Sequence, residues 1–205
     1  LLNWEKIPDD TKNMLYFSVE DGIGAAVMFN GKVQRGNHGM VGEIGHTTVR
    51  ENGKLCACGN YGCLETISSD IAIIDQACSI LNVKKEKINI DKLVEISNDG
   101  DKRIEKDFIE AAKCLAITLR NTFAMYDPDE IAINCRWLLG KKDLYFKMID
   151  SLYDNNNLID RRNTTIRMID IDNFGLRSAA AIVATHEMES MESTIFSDRR
   201  SLTLA

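Results

Sequence analysis

Apolar runs near the start of the chain alternate with turn residues in the manner of a β-hairpin. Residues 14–19 form an apolar run of strand length, and residues 25–29 form a second one. The second run is followed by Asn30 and Gly31. Asn-Gly between two apolar runs is a strong hairpin signal, because both central residues of a type I′ turn need positive φ. We therefore predict two strands here, with a third beginning at Lys32.

The spacing of apolar residues changes to that of helices farther along the chain. Apolar residues three and four positions apart predict one helix over residues 67–81 and a longer one from Lys102 to Tyr126. Asp127 and Pro128 end the longer helix, since the residue before proline is driven away from the α-helical region. The first predicted helix face comprises Ile67, Ile71, Ile74, Cys78 and Leu81, and the second comprises Ile104, Phe108, Ala111, Ala112, Leu115, Leu119 and Phe123.

The remainder of the chain alternates between the two kinds of pattern. Residues 130–134 and 164–171 are typical of strands, whereas residues 143–153 and the alanine-rich residues 176–187 are typical of helices. Strands that alternate with helices indicate an α/β layered fold with at least partly parallel strand pairing.

Composition and charge narrow the function classes. Hydrophobic residues make up 44% of the 205 residues and charged residues 27%, which is ordinary for a soluble domain. No apolar run approaches the roughly 18 residues of a membrane span, so we expect no membrane partner and a cytoplasmic location. The net charge is −6 with no Lys/Arg-rich block, which argues against broad contact with nucleic acid. Because the chain starts with Leu1, we expect it to be a piece of a longer or processed protein.

A glycine-rich segment, residues 36–62, carries the sharpest chemistry. It contains seven glycines and leads into a cluster of potential metal ligands: His46, Cys56, Cys58 and Cys63. Three thiolates and one imidazole complete a tetrahedral zinc site that leaves no position for water, so the predicted zinc is structural. The alternatives are three core cysteines beside an unrelated surface histidine, or a disulfide that leaves an odd thiol. Cys78, Cys114 and Cys135 are interpreted as ordinary buried residues.

Two stretches around these ligands resemble a known family. Residues 42–46 are Gly-Glu-Ile-Gly-His, and residues 56–65 are Cys-Ala-Cys-Gly-Asn-Tyr-Gly-Cys-Leu-Glu. Both resemble the signature of the ROK family (repressors, open reading frames, sugar kinases). The resemblance implies an actin-like, ribonuclease H-like ATPase fold, with two lobes and a sugar cleft between them. By this resemblance, residues 14–189 form the C-terminal ROK lobe with a zinc knuckle at 42–65, residues 1–13 connect to an absent N-terminal lobe, and residues 190–205 form a tail.

The resemblance also implies three sugar-binding residues, namely Glu43, His46 and Glu65. In the family the two glutamates of these stretches bind sugar hydroxyls, while the histidine binds zinc through one ring nitrogen and faces the sugar with the other. Ionised carboxylates suit this role because charge-assisted hydrogen bonds are stronger than neutral ones. A bound zinc would fix the tautomer and the aim of the imidazole. Taken alone, both glutamates are equally compatible with solvated surface carboxylates.

The chain departs from the kinases of this family at both places that hold ATP. The kinases carry Gly-Thr-Gly-Ile-Gly in their second phosphate loop, where residues 20–24 here are Glu-Asp-Gly-Ile-Gly. Two carboxylates would repel a triphosphate, so this is a degenerate nucleotide loop and no ATP binding is expected. The kinases also have a Gly-Gly pair against which adenosine packs, where residues 134–137 are Asn-Cys-Arg-Trp with two bulky side chains. The loop residues concerned are Glu20, Asp21, Gly22 and Gly24.

These observations favour a non-catalytic regulator nearer to repressors of the xylose or N-acetylglucosamine type. The chain is predicted to be the sugar-sensing, oligomerising C-terminal region of a ROK-type transcriptional regulator. A sugar or sugar derivative would be its effector, it would form a homodimer or a dimer of dimers, and operator DNA would be bound only by an N-terminal winged helix outside this chain. The alternatives are an ATP-dependent sugar kinase of the glucokinase or fructokinase kind, and a scaffold that binds nothing.

Overall fold

Five strands form one mixed sheet in the computed structural model, which describes residues 12–154 and 164–169. The strand order is β3-β2-β1-β4-β5. β1 is antiparallel to β2 and parallel to β4, and β5 is parallel to β4. This mixed sheet confirms the predicted α/β class with partly parallel pairing. The strands are β1 (Met14–Val19), β2 (Ile23–Phe29), β3 (Lys32–Val33), β4 (Glu130–Cys135) and β5 (Thr165–Ile169).

The predicted hairpin lies between β2 and β3. Phe29 pairs with Lys32, and the two residues between them, Asn30 and Gly31, have φ of 51° and 73°. These angles meet the requirement of a type I′ turn. The central strands β1 and β4 are buried along their whole length, which explains why their sequences are nearly continuous apolar runs.

Six helices accompany the sheet in the described part of the chain. The predicted helix over residues 67–81 is in fact two helices, because Ser69 is extended, with ψ of 157°, and its side chain caps the second helix by accepting from Ala72 N. Two short helices, at residues 90–98 and 136–139, were not predicted. The helices are α1 (Glu65–Ser68), α2 (Asp70–Leu81), α3 (Ile90–Asn98), α4 (Lys102–Tyr126), α5 (Arg136–Leu139) and α6 (Lys142–Asp154).

The break at Ser69 also changes which face of α2 is buried. Ile73 and Ala77 face the core together with Asp70, whereas Ile71 is 39% exposed. The predicted apolar face was therefore wrong by one position in this helix, because α2 starts a new helical phase after the break. Of the residues predicted for that face, only the partly buried ones pack against the core, namely Ile67, Ile74 and Leu81.

The long helix α4 forms as predicted and organises the core. Asp101 caps its start by accepting from Arg103 N and Ile104 N, and Asp127 ends it in the left-handed region with φ of 42°. α4 packs against α1, α2, α3 and α6. All seven residues of its predicted apolar face are buried. Burying such a stripe, rather than intrinsic propensity, supplies most of a helix's stability in a folded protein.

Several predictions fall outside the described residues. The predicted helix over residues 176–187, the tail 190–205 and most of the connection 1–13 lie there. The division into a lobe at 14–189, a connection and a tail therefore remains a prediction.

Candidate functional site

Residues 42–46 lie directly on the backbone of β2. Ala25 N donates to Gly42 O at 2.7 Å, and residues 44–46 form a single turn of 3-10 helix. A Cβ at Gly42 would overlap the Ala25 carbonyl, and a Cβ at Gly45 would overlap the Ile23 carbonyl. The two glycines therefore allow the close approach. It leaves Glu43 exposed and His46 partly exposed beside the sheet.

The four predicted metal ligands come together in one cluster. Their donor atoms all lie within 4.8 Å of one another. Cys56 Sγ is 3.5 Å from His46 Nδ1, and Cys58 Sγ is 3.7 Å from Cys63 Sγ. A tetrahedral zinc ion with bonds of about 2.3 Å to sulfur and 2.0 Å to nitrogen has edges of roughly 3.8 and 3.5 Å. The cluster could therefore hold a metal ion, and its spacing fits a closed tetrahedral site.

The chain around the cluster is held by short backbone bridges. Thr48 pairs with Cys63, and Leu55 pairs with Tyr61, both in antiparallel fashion. Between them, Cys56 N donates to Asn60 O at 2.8 Å. No regular helix or strand covers residues 47–64, so local turns and the four donors hold this segment. The other cysteines of the described chain are outside the cluster, since Cys114 and Cys135 are buried in the core and Cys78 is partly buried on α2.

The thiols of the cluster lie in unequal environments. Burial raises the pKa of the Cys63 thiol to about 12, and its two thiol neighbours raise it further. A hydrogen bond from the Asn60 backbone lowers the pKa of the exposed Cys58 thiol. A metal ion among these sulfurs would stabilise all three thiolates, because thiolate is the form that coordinates metal.

The His46 ring faces two directions. Its Nδ1 lies among the sulfurs, whereas its Nε2 is 3.7 Å from Glu43 Oε2. The structure thus brings together two of the three predicted sugar residues. Their side chains keep 32% and 50% exposure for histidine and glutamate respectively, so both can reach a small ligand.

The third predicted sugar residue, Glu65, begins α1 and contacts the β1–β2 loop. Its Oε2 accepts a hydrogen bond from Ile23 N at 3.0 Å. Leu64 N donates to Thr47 O at 3.0 Å, which brings the segment that carries Glu65 beside the segment that carries His46. Ile23 therefore touches both parts of the candidate site, with its carbonyl against Gly45 and its amide on Glu65.

The loop predicted to be a degenerate nucleotide loop is rich in carboxylates. Glu20 Oε1 accepts from Ser18 Oγ at 2.9 Å and from Asn134 Nδ2 at 2.8 Å, so its charge is fixed at the ends of β1 and β4. Asp21 and Gly22 are exposed, and Gly24 is partly buried at the start of β2.

Asp70 is a further acidic residue at this loop that sequence reasoning missed. It is 9% exposed, and its backbone N–H donates to Glu20 O at 2.8 Å. Burial, followed by the nearby Asp21 carboxylate, raises its pKa to about 7. The available signal was an acid directly after the helix-capping Ser69, but a first-turn acid is ordinarily a solvated one.

Trp137 has a different role from the one expected. It is fully buried, donates from Nε1 to Ser68 O at 3.2 Å and packs against Phe108 with ring centroids 5.7 Å apart. It is therefore a core residue and does not obstruct an adenosine site. Arg136 remains half-exposed, 3.3 Å from Asp91 Oδ2.

A separate groove lies between α4 and α6. It has a volume of about 650 Å³ and is lined mainly by apolar side chains, together with lysines and Arg120. Glu43, His46 and Glu65 are not among its lining residues. Within the described ranges, no helix is both long and apolar enough to cross a membrane.

Comparison with known proteins identifies related sequences of two functional kinds. The chain is 29% identical over 155 residues to a xylose repressor from Caldicellulosiruptor bescii, covering 70% of this chain and 36% of the relative. It is 31% identical to the DNA-binding transcriptional dual regulator NagC of Escherichia coli K12, covering 60% and 32% respectively. It is 35% identical to a glucokinase from Halalkalibacterium halodurans, covering 63% and 37%. The chain thus spans about a third of the length of these relatives.

Solved structures share the fold. A ROK hexokinase from Thermus thermophilus superposes with a TM-score of 0.70 at 23% identity, covering 82% of this chain and 55% of the hexokinase. A ROK family transcriptional regulator, a homologue of the Escherichia coli MLC protein, superposes with a TM-score of 0.67 at 27% identity, covering 78% and 42%. The model of the ROK family matches residues 3–184. The chain belongs to the ROK family, as the motifs around its histidine and cysteines predicted.

Proposed function

We propose that this chain is the sugar-sensing region of a ROK-family transcriptional regulator. In this proposal Glu43, His46 and Glu65 bind the sugar, and a structural zinc ion is held by His46, Cys56, Cys58 and Cys63. The xylose repressor and NagC relatives support a regulatory role. The net charge of −6 also agrees, since a domain that does not itself contact DNA phosphates has no need to be basic.

The observation that carries the proposal is the acidic β1–β2 loop. Glu20 and Asp21 occupy the loop, and Asp70 is buried against it. The Ile23 amide, a donor of this loop, is already engaged by the Glu65 carboxylate. A nucleotide triphosphate would meet like charges here instead of unpaired backbone donors, and repulsion between close charges of one sign is strong wherever water is excluded.

The sugar residues suit hydroxyl recognition. The carboxylates of Glu43 and Glu65 accept hydrogen bonds, and the Nε2 of His46 adds a group that faces Glu43 at 3.7 Å. When bound, zinc supplies a fixed orientation for the imidazole and stabilises the thiolates. The neighbouring residues Gly42 and Gly45 hold the 3-10 turn against β2, so these side chains stand on a rigid support.

Binding would act on DNA through the assembly. We propose a cytoplasmic homodimer or dimer of dimers in which the sugar favours one lobe arrangement, and operator DNA is bound by a winged helix outside this chain. A ligand shifts such an equilibrium only through its different affinity for the two arrangements. In the same proposal, this chain is the C-terminal lobe.

A sugar kinase is the second candidate, and the glucokinase relative at 35% identity favours it. Equilibrium unfolding distinguishes the two. The purified chain is unfolded in urea with xylose, glucose, N-acetylglucosamine or ATP with Mg²⁺ present. A ligand at a hundred times its Kd raises the free energy of unfolding by about 2.7 kcal/mol. Stabilisation by a sugar and none by ATP supports the regulator, whereas stabilisation by ATP supports the kinase.

A further inference from the structure

Gly22 lies against the carboxylate of Glu65. An added Cβ at Gly22 would be 3.1 Å from Glu65 Oε2, closer than ordinary van der Waals contact. The same oxygen accepts the Ile23 amide hydrogen bond at 3.0 Å. The carboxylate is thus held on one side by the Ile23 amide and given room on the other side by the missing side chain of Gly22.

The space at Gly22 is not a requirement of backbone conformation. Gly22 is absent from the glycines with positive φ in the described chain, so an alanine is compatible with its backbone. What an alanine would meet is the charged oxygen, which cannot move away without lengthening the bond to Ile23. Of the two Glu65 oxygens, only Oε2 accepts a hydrogen bond within the described chain, which leaves Oε1 to receive a hydroxyl.

We infer that Gly22 is a positioning residue of the proposed sugar site, acting through Glu65. This inference rests on the proposed function and deepens it. The glycine is kept at this loop position because it lets the Glu65 carboxylate bind the Ile23 amide and still present its other oxygen to a sugar. The same loop that excludes nucleotide in the proposed function thereby sets the geometry of a sugar contact.

Gly24 offers a matched control. It lies two residues farther on the same hairpin, and its φ is likewise outside the positive range. A Cβ there would be 3.8 Å from Gly42 O, an ordinary contact. Gly22→Ala and Gly24→Ala are therefore the same chemical change with and without pressure on Glu65.

The experiment measures sugar affinity and amide exchange in both variants. Calorimetry with xylose, glucose and N-acetylglucosamine should show Gly22→Ala binding the parent's sugar about three- to a hundredfold more weakly, up to the loss of one charge-assisted bond, with Gly24→Ala unchanged. Hydrogen exchange by NMR should show the Ile23 amide exchanging at least about tenfold faster in Gly22→Ala, as the bond to Glu65 weakens. Zinc content and circular dichroism check that each variant folds.

A double-mutant cycle separates positioning from a general structural role. In the background of Glu65→Ala, Gly22→Ala should cause no further loss of stability and no further acceleration of exchange, because its target has been removed. Parent-like sugar affinity and parent-like Ile23 exchange in Gly22→Ala would overturn the inference. If the parent binds none of the sugars, the proposed function fails. The exchange measurement then still tests the contact between Gly22 and Glu65, and parent-like exchange would overturn that contact as well.

Discussion

The Nε2 atom of His46 lies 3.7 Å from Glu43 Oε2, while the Nδ1 atom of the same ring points among the cysteine sulfurs. One imidazole therefore joins the candidate metal cluster to the candidate sugar site. His46→Ala should consequently remove both functions at once, which makes it a poor test of either. Variants that touch only one side of this ring are the informative ones.

We predict one tightly bound zinc per chain. Cys58→Ser should lose the metal and disorder the segment from Gly45 to Glu65, because binding to such a site is coupled to folding. Elemental analysis of freshly purified protein, together with amide exchange of this segment, checks the prediction. Cys78→Ser is the matched control, since Cys78 lies on α2 outside the cluster, and it should keep its zinc.

The zinc prediction has a clear failing result. Structural sites of this ligand set are closed and tight. Less than about half an equivalent of zinc in the parent protein, or full zinc content in Cys58→Ser, would contradict it.

Glu65→Gln should weaken sugar binding and leave the metal in place. The amide keeps the shape of the side chain and can still accept the Ile23 hydrogen bond, but the charge is lost. Losing a charge-assisted bond costs about 1.5 to 3 kcal/mol, or roughly ten- to a hundredfold in affinity by calorimetry.

Glu51→Gln is the control for this variant, because Glu51 is an exposed carboxylate in the same segment. It should bind sugar and zinc as the parent does. Parent-like affinity of Glu65→Gln for every sugar that the parent binds would remove Glu65 from the site.

The α/β class, the strand β1 and the helix α4 could be predicted because each rests on a long, consistent pattern. α3 was missed although its signals are present, namely Asn89 as an N-cap that accepts from Lys92 N at 2.9 Å and buried residues spaced three and four apart. Nine residues with a low apolar content give a weak periodic signal. The phase of α2 was wrong because the extended Ser69 divides a pattern that reads as one helix.

The candidate site divides in the same way. The four metal donors were predictable because their spacing and residue types are specific to a chemistry. The raised pKa of Asp70, the contact of Glu65 with Ile23 and the burial of Trp137 depend on segments distant in sequence. No local pattern encodes such contacts.

Asp70→Asn should stabilise the protein increasingly as pH rises. The folded pKa of about 7 lies above the ordinary value of 3.8, so the folded state binds more protons than the unfolded state between these values. Its contribution to stability is therefore full below about pH 4 and is lost as pH rises through about 7. Between pH 5.5 and 8.5 the advantage of the variant over the parent should grow by about 2 kcal/mol.

Urea unfolding of parent and variant at several pH values measures this difference. Asp75→Asn, which changes an exposed carboxylate of the same helix, is the control and should show no comparable growth. An advantage of Asp70→Asn that stays constant with pH would mean that Asp70 is not protonated in the folded protein near neutral pH.

The central claim is that this protein responds to a sugar without phosphorylating it. The most direct measurement incubates the full-length protein with ATP, Mg²⁺ and each of xylose, glucose and N-acetylglucosamine, and follows sugar phosphate by ³¹P NMR alongside calorimetric titration of ATP and of each sugar. The account predicts saturable heat for a sugar, no binding heat for ATP and no sugar phosphate. Saturable ATP binding with a phosphorylated sugar as product would contradict it.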